Sequence, residues 1–217
     1  MESVVSTSHD DVRVKRGFYR VYGKRAFDIF FTILIGPVAL LLIAGVALLM
    51  AAKGISPFFS QPRLGKSGGV FQLKKIRTMV PDADAKLKVH LEKNPEARIE
   101  WETTQKLKDD PRITAYGAFC RKSSLDELPQ FWNVLKGEMS VIGPRPMLVE
   151  QRSMYPGNDY FRLRPGITGS WQVSDRNASS FASRARFDSE YNKNLSFMTD
   201  MKILFRTILV IFRCTGY

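Results

Sequence analysis

Asp126 and Glu127 stand side by side in the stretch RKSSLDELPQFWNVLKGEMSVIGPRP, with Arg121 before them and Arg145 after them. Adjacent carboxylates between arginines suit two jobs. One is structural: Ser124-Leu-Asp-Glu127 fits a capping box, and acidic residues favour the positive end of a helix. Leu125, Leu128, Trp132 and Leu135 then make an apolar helical stripe, with Gly137 as the stop. Pro129 sets the register. With Ser124 as N-cap it removes a hydrogen bond; with Asp126 as N-cap it falls where none is lost. The other job is chemical. The chain holds only two histidines, His9 and His90, and two cysteines, Cys120 and Cys214, without CxxC spacing. Ser-His-Asp, Cys-His and His-rich metal chemistry lose their main component. Catalysis would rest on carboxylates, lysine, arginine and a hard metal, and the cysteine usage fits a reduced compartment.

A second acidic pair, Asp82 and Asp84, resembles the DxD metal motif of nucleotide-sugar glycosyltransferases, but it opens a lysine-rich stretch instead of ending a strand. It reads as an acidic helix start. Before it, two β-prone stretches flank Gly65-Lys66-Ser67-Gly68-Gly69 as a hairpin. Residues from about 81 to 108 look helical, and KDDPRITAYG is a loop entering a short helix that carries Cys120 and Arg121. RPGITGSWQVSDRN places arginines around the turns at Trp171, a loop able to meet phosphate. FMTDMKILFRTILVIFRCTGY spaces Lys202, Arg206 and Arg213 among large apolar residues, as an interfacial helix would.

The formal net charge of +12 implies an anionic partner: nucleic acid, a phosphorylated substrate or a membrane surface. One segment decides among them. From Ile29 to Ala52 the chain carries no charge, a length that suits a bilayer-crossing helix. Lys24 and Arg25 precede this run and Lys53, Arg63 and Lys66 follow it, so the positive-inside bias does not separate its ends. Gly36-Pro37 interrupts it. These features suit a segment that enters the membrane and returns on the cytoplasmic face; a kinked spanning helix is the other reading. The polar residues before it are expected to be disordered. The Asn177 and Asn194 glycosylation sequons carry no meaning on a cytoplasmic face.

The hydrophobic segment followed by KKIRTM, DDPRIT, SSLDELPQFWNVLKGEMSVIGPRP and RPGITGSWQVSDRN resembles, in content and order, the bacterial sugar transferase family, the monotopic phosphoglycosyl transferases. The resemblance covers about Lys24 to Tyr217 and looks like the family's minimal catalytic form. It implies a mainly helical α/β fold with a short β-hairpin, a proline-broken re-entrant helix and interfacial amphipathic helices. The implied division is a basic tail (1–23), a re-entrant helix (24–53) and a cytoplasmic transferase domain (54–217). The implied activity is transfer of a sugar 1-phosphate from a UDP-sugar to a polyprenyl phosphate at the cytoplasmic face of the bacterial inner membrane, releasing UMP. By position Asp126 and Glu127 take the catalytic and Mg²⁺-binding roles, and Pro37 the membrane break. Arg145 is expected near the nucleotide, with Lys75, Arg77, Arg121 and Arg176 as phosphate contacts. A homo-oligomer is left open.

Chemistry supplies independent reasons. A diphosphate repels an incoming nucleophile, so its site needs a divalent cation and guanidinium groups to spread charge. Mg²⁺ prefers carboxylates and water. An aspartate can itself attack phosphorus, and a positive helix end would keep Asp126 ionised. Two positions depart from the family pattern: Gly36 where serine commonly precedes the proline, and Asp175 where glycine commonly precedes Arg-Asn. The ending FRCTGY and the Trp171-Gln172 pair look like the exopolysaccharide-initiating branch, whose members often transfer galactose or glucose 1-phosphate. A non-enzymatic basic membrane adaptor would explain the charge and the apolar run but not Asp-Glu among arginines. A nucleic-acid binder would explain the charge alone, and no binding motif of that kind is present.

Overall fold

The apolar run folds as one helix, α1 (Lys24–Ala51), entered through a π turn at Tyr19–Gly23. The computed structural model describes residues 17–105, 107–174 and 181–212. The expected polar tail before residue 17, Arg176, Asp175, the Asn177 sequon, Arg213 and Cys214 lie outside them. Tyr19–Ala51 is long and apolar enough to cross a membrane, and only 11 % of its most apolar stretch is buried against the rest of the chain. A soluble core helix would be mostly covered; here Phe30, Ile33, Leu40, Leu41, Leu48 and Leu49 stand exposed. The helix continues through Pro37. The expected interruption at Gly36-Pro37 therefore does not divide α1 into two elements, although the proline still removes one backbone donor.

Next comes the expected hairpin. Strands β1 (Phe58–Leu64) and β2 (Val70–Ile76) pair antiparallel with Leu64 opposite Val70 and Phe58 opposite Ile76, around a tight turn at Lys66–Gly68. The charged stretch that follows is two helices, α2 (Ala83–Lys93) and α3 (Pro95–Thr104). Pro95 explains the division: it cannot continue α2 but suits the first turn of α3. Asp82 occupies the N-cap position of α2, as its reading as a helix start requires. Helix α4 (Ala115–Lys122) is capped by the Thr114 hydroxyl accepting from the Gly117 N–H at 3.0 Å. Helix α5 (Gln130–Lys136) ends at Gly137 in the left-handed conformation. Its apolar stripe faces outward: Trp132 and Leu135 are exposed, while Gln130, Asn133 and Val134 are buried.

Beyond α5 the strand β3 (Ser140–Ile142) pairs in parallel with β4 (Gly166–Thr168), separated by the short helix α6 (Asp159–Arg162). Helices α7 (Arg184–Lys193) and α8 (Phe197–Phe212) complete the described chain. The GPRP and RPGITG strings meet here. A Cβ on Gly143 would collide with the Arg164 carbonyl, and one on Gly166 with the backbone of Gly143. One core gathers Phe71, Leu73, Val134, Val141, Ile142, Tyr191 and Ile203; a smaller one gathers Leu64, Met147, Tyr155, Tyr160 and Phe181. On α8, Phe205, Ile208, Leu209 and Ile211 are exposed beside buried Ile203, the amphipathic pattern expected of this segment.

The foot of α1 is tied to this body by polar contacts. The Arg25 guanidinium donates to the carbonyls of Val134 (2.6 Å) and Leu135 (2.9 Å). Asp28 accepts from the Ser140 hydroxyl (2.8 Å) and the Val141 N–H (3.0 Å). Lys24 lies 3.3 Å from Asp28 and 3.1 Å from Asp200 of α8. Asp200 also accepts from the Tyr19 and Tyr191 hydroxyls at 2.6 and 2.7 Å.

Candidate active site

Asp126 and Glu127 sit in a 3-10 turn, Leu125–Glu127, between α4 and α5. Ser124 precedes it in a left-handed conformation (φ 57°), and its side chain caps nothing. Pro129, in helical geometry, is the residue before α5. The capping-box reading and the Asp126 N-cap reading are both overturned. A left-handed Ser124 turns the chain away from cap geometry, so the helix begins only after Pro129. Freed from capping, the two carboxylates meet at Lys75, which β2 carries in from the hairpin. Its Nζ is 3.4 Å from Asp126 Oδ2 and 3.3 Å from Glu127 Oε1. Asp126 is only 6 % exposed.

Arginines surround this pair. Arg145, just after β3, places Nη1 3.7 Å from Glu127 Oε1. Arg121 on α4 is steered by its Nε donating to the Thr78 hydroxyl at 3.0 Å, and its charge acts on Asp126. Burial pushes the Asp126 carboxyl above the usual range; Lys75 and Arg121 pull it down, while Glu127 adds to the rise. This corrects the expectation that a positive helix end keeps Asp126 ionised. The adjoining helical piece is only a three-residue turn, so the opposing charge must come from Lys75 and Arg121.

Of the residues expected at the site, Lys75, Arg121 and Arg145 are thus brought to the dyad. Arg77 lies just past β2 with its guanidinium 5.9 Å from the Phe59 ring centre, and its buried Nε has no partner among the described residues. Arg176 lies outside the described residues, and Pro37 is within α1.

Two further arginines lie nearby: Arg63, which the sequence offers only as a charge flanking the apolar run, and Arg184. Arg63 on β1 donates to the Pro146 carbonyl at 3.2 Å, next to Arg145. Arg184 opens α7, 8 % exposed, between the rings of Trp171 (4.2 Å) and Phe181 (4.5 Å). Burial, with Arg145 beside it, pushes the Arg63 guanidinium down to about 10. Burial, then Arg145, with Arg63 adding, pushes Arg184 down to about 9 against the opposing pull of Asp188. Neither has a local sequence signal. Arg63 follows an ordinary strand pattern and Arg184 lies in the polar run SRARF.

The dyad fits a hard dication. Two carboxylates already converge on one cationic atom, and a shell completed by water and phosphate oxygens is the donor set Mg²⁺ takes. Among the described residues no group of three or more His, Cys, Asp or Glu side chains is placed to hold a metal. Asp126 and Glu127 could supply two carboxylates to such an ion, and the other ligands would come from substrate and solvent.

Residues 19–214 match the model of the bacterial sugar transferase family. The chain is 46 % identical over 199 residues to an uncharacterized sugar transferase of Haemophilus influenzae, covering 89 % of this chain and 41 % of that protein. It is 43 % identical over 191 residues to the exopolysaccharide production protein ExoY of Sinorhizobium fredii, covering 85 % of this chain and 83 % of the relative. To the undecaprenyl-phosphate galactose phosphotransferase of Salmonella typhimurium it is 44 % identical over 195 residues, covering 89 % of this chain and 41 % of the other. The chain thus spans less than half the length of the Haemophilus and Salmonella relatives but most of the Sinorhizobium one.

Proposed function

The chain belongs to the bacterial sugar transferase family, and on that premise we propose that it moves a sugar 1-phosphate from a UDP-sugar to a polyprenyl phosphate and releases UMP. The observation that carries this reading is the meeting of two non-capping carboxylates at Lys75 with Arg121 and Arg145 around them. The Salmonella relative is named for galactose transfer onto undecaprenyl phosphate and the Sinorhizobium relative for exopolysaccharide production. UDP-galactose is accordingly the first donor to test, and initiation of a surface polysaccharide the proposed context.

In the proposed chemistry a carboxylate oxygen of Asp126 attacks the phosphorus that bears the sugar. A new P–O bond forms, the bond to UMP breaks, and UMP leaves with the electron pair. An oxygen of the polyprenyl phosphate then attacks the same phosphorus, and Asp126 departs as a carboxylate. Lys75 and Arg121 oppose the effect of burial and favour the ionised form of Asp126 that the first step needs. Mg²⁺, held by Glu127 and Asp126 when bound, supplies positive charge to the diphosphate oxygens. Arg145 takes the nucleotide, and Arg77, Arg121, Arg176 and Lys75 serve the phosphates.

One observation favours a second reading. A carboxyl raised by burial is suited to accept a proton, so Asp126 would be a general base for direct attack by the polyprenyl phosphate. The schemes part before the lipid arrives. Protein mixed with a panel of UDP-sugars and Mg²⁺, without lipid, should release no more than one equivalent of UMP and hold a sugar-phosphate adduct on the Asp126 peptide. Lipid-dependent turnover without adduct supports the base. No UMP from any UDP-sugar, with or without polyprenyl phosphate, removes the transferase reading.

The proposed setting is the bacterial cytoplasmic membrane. Helix α1 enters it and returns through a bend at Pro37, residues 1–23 and 54–217 share the cytoplasmic side, and the exposed apolar face of α8 rests on lipid. Single cysteines at Ser6 and at Asn94, in an otherwise cysteine-free variant, should both resist an impermeant thiol reagent in intact cells. Labelling at Ser6 alone indicates a crossing helix.

A further inference from the structure

Arg63, Arg145 and Arg184 concentrate positive charge where the protein supplies little to balance it. Arg184 is 8 % exposed, and its side chain meets aromatic faces, with no hydrogen bond or ion pair among the described residues. Its buried Nε has no acceptor among the described residues; nor has that of Arg63, whose terminal nitrogens donate to the neutral Pro146 carbonyl (3.2 Å) and Gln61 Oε1 (2.7 Å). The acids nearby are occupied. Asp188, one turn along α7, accepts from the Tyr155 hydroxyl at 2.7 Å, and Glu127 is shared between Lys75 and Arg145. Glu150 contributes attraction to Arg63 without an ion pair to it among the described residues. The three guanidinium groups are held by separate elements: Arg63 by β1, Arg145 by the turn after β3, and Arg184 by the start of α7. Backbone pairing of Leu64 N–H with the Met147 carbonyl at 3.0 Å fixes the first two together.

Buried like charges with orphaned donors are costly unless an anion completes them. Planar guanidinium groups from several directions match the oxygens of a phosphate ester. We propose that Arg63, Arg145 and Arg184 form a phosphate-ester subsite beside the Asp126–Glu127 dyad, with Arg63 and Arg184 as binding residues. It rests on the transferase reading above for its role in turnover. Its ligand is a phosphate monoester, either the UMP moiety of the donor or the headgroup of the polyprenyl phosphate. The Arg145–Glu127 contact connects the subsite to the dyad, so a phosphate bound there lies next to the reacting phosphorus.

The test uses the full chain in detergent or nanodiscs and two variants, Arg184→Met and Arg63→Met. Methionine keeps an apolar stem and a favourable contact with the Trp171 and Phe181 rings. UMP or inorganic phosphate should raise the melting temperature of the wild type, uridine should not, and each variant should lose that rise. Kinetics separates the ligands. If the subsite holds UMP, each variant raises KM for the UDP-sugar about tenfold or more and slows the lipid-independent UMP burst. If it holds the lipid headgroup, KM for polyprenyl phosphate rises by a similar factor and the burst is unchanged. The proposal is overturned if either folded variant retains both KM values and the phosphate-dependent melting shift. A wild type that releases no UMP yet shows a phosphate shift lost in the variants removes the transferase reading and leaves the subsite.

Discussion

At the foot of α1, Asp200 is 0 % exposed and has three partners: Lys24, Tyr19 and Tyr191. Around Arg145, the similarly buried Arg184 has no anionic or carbonyl partner among the described residues. Both regions remove charge from water, which costs several kcal/mol per ion before pairing. At the α1 foot opposite charges and hydroxyls offset that cost within the chain; among the described residues a single orphan remains there, Asp28 Oδ2. The tyrosine hydroxyls there are correspondingly hard to ionise: burial, then Asp200, pushes both Tyr19 and Tyr191 well up. In the arginine cluster the guanidinium groups repel one another, the nearby acids Asp188 and Glu127 are shared with Tyr155 and Lys75, and in the proposed subsite an anion supplies the rest of the balance. A complete polar cluster holds the apolar helix on the body; an incomplete one marks where a ligand belongs.

The largest effect should come from Asp126, where binding chemistry and burial meet. Asp126→Asn should lower UMP release at least about 10³-fold, because an amide is a poor nucleophile and a poor base. The melting temperature should hold or rise, since the amide removes the burial cost that raises the Asp126 carboxyl. Activity and fold lost together would assign Asp126 to the scaffold and break the comparison. Asp200→Ala should do the reverse. It strands Lys24 and two tyrosine hydroxyls, costing about 3–5 kcal/mol in denaturant unfolding, while KM for the UDP-sugar in the folded fraction stays at the wild-type value. A changed KM with full stability would place the α1 foot among the substrate contacts.

A third test sharpens the boundary between the regions, because Asp188 lies beside Arg184 yet has a partner in Tyr155. Burial pushes its carboxyl up to about 7, with Tyr155 and Arg184 pulling it down. The unfolded chain has an ordinary aspartate near 3.9. Between these values the folded state keeps a proton that the unfolded state has lost, so its stabilising effect is full below about pH 4 and disappears as pH rises through about 7. Unfolding free energy should fall across that window by at most about 1.4 kcal/mol per pH unit from this group. Asp188→Asn, which can still accept from Tyr155, should flatten the slope; an unchanged slope would assign it to other groups.

Local signals made parts of this arrangement legible. The glycine-rich turn at 65–69 announced the hairpin, Thr114 and Gly137 stand at helix ends, and Asp126-Glu127 is conspicuous because the residues adjoin. The β3–β4 pair was not legible, since each strand has three residues and they join across a long excursion. RPGITG could be read as part of an arginine-bearing loop, but not that Gly166 within it lies against Gly143 of GPRP. The capping box misled because its pattern holds for any Ser-x-x-Glu, whereas Ser124 takes a left-handed φ imposed by the turn from α4. Arg63 and Arg184 were invisible for a related reason. What distinguishes them is the acceptor each lacks, and a missing long-range partner leaves no mark on neighbouring residues.

The smallest effect tests two arginines against each other. Arg25 and Arg184 carry the same group, but Arg25 delivers its N–H donors to the Val134 and Leu135 carbonyls. Those carbonyls belong to the C-terminal turn of α5, where unpaired oxygens carry partial negative charge. Arg25→Met should therefore lower stability by about 1–2 kcal/mol, a modest cost because one of the bonds is exposed. UMP release by the folded protein should persist, since α5 remains capped by Gly137 and packed through Val134. Arg184→Met, measured without phosphate, should show no comparable loss: it removes a guanidinium that repels Arg63 and Arg145 and has no acceptor to abandon. Equal destabilisation by the two substitutions would mean that the Trp171 and Phe181 faces satisfy Arg184 as well as carbonyls satisfy Arg25. The distinction between a completed and an incomplete cluster would then fail at its most exposed point.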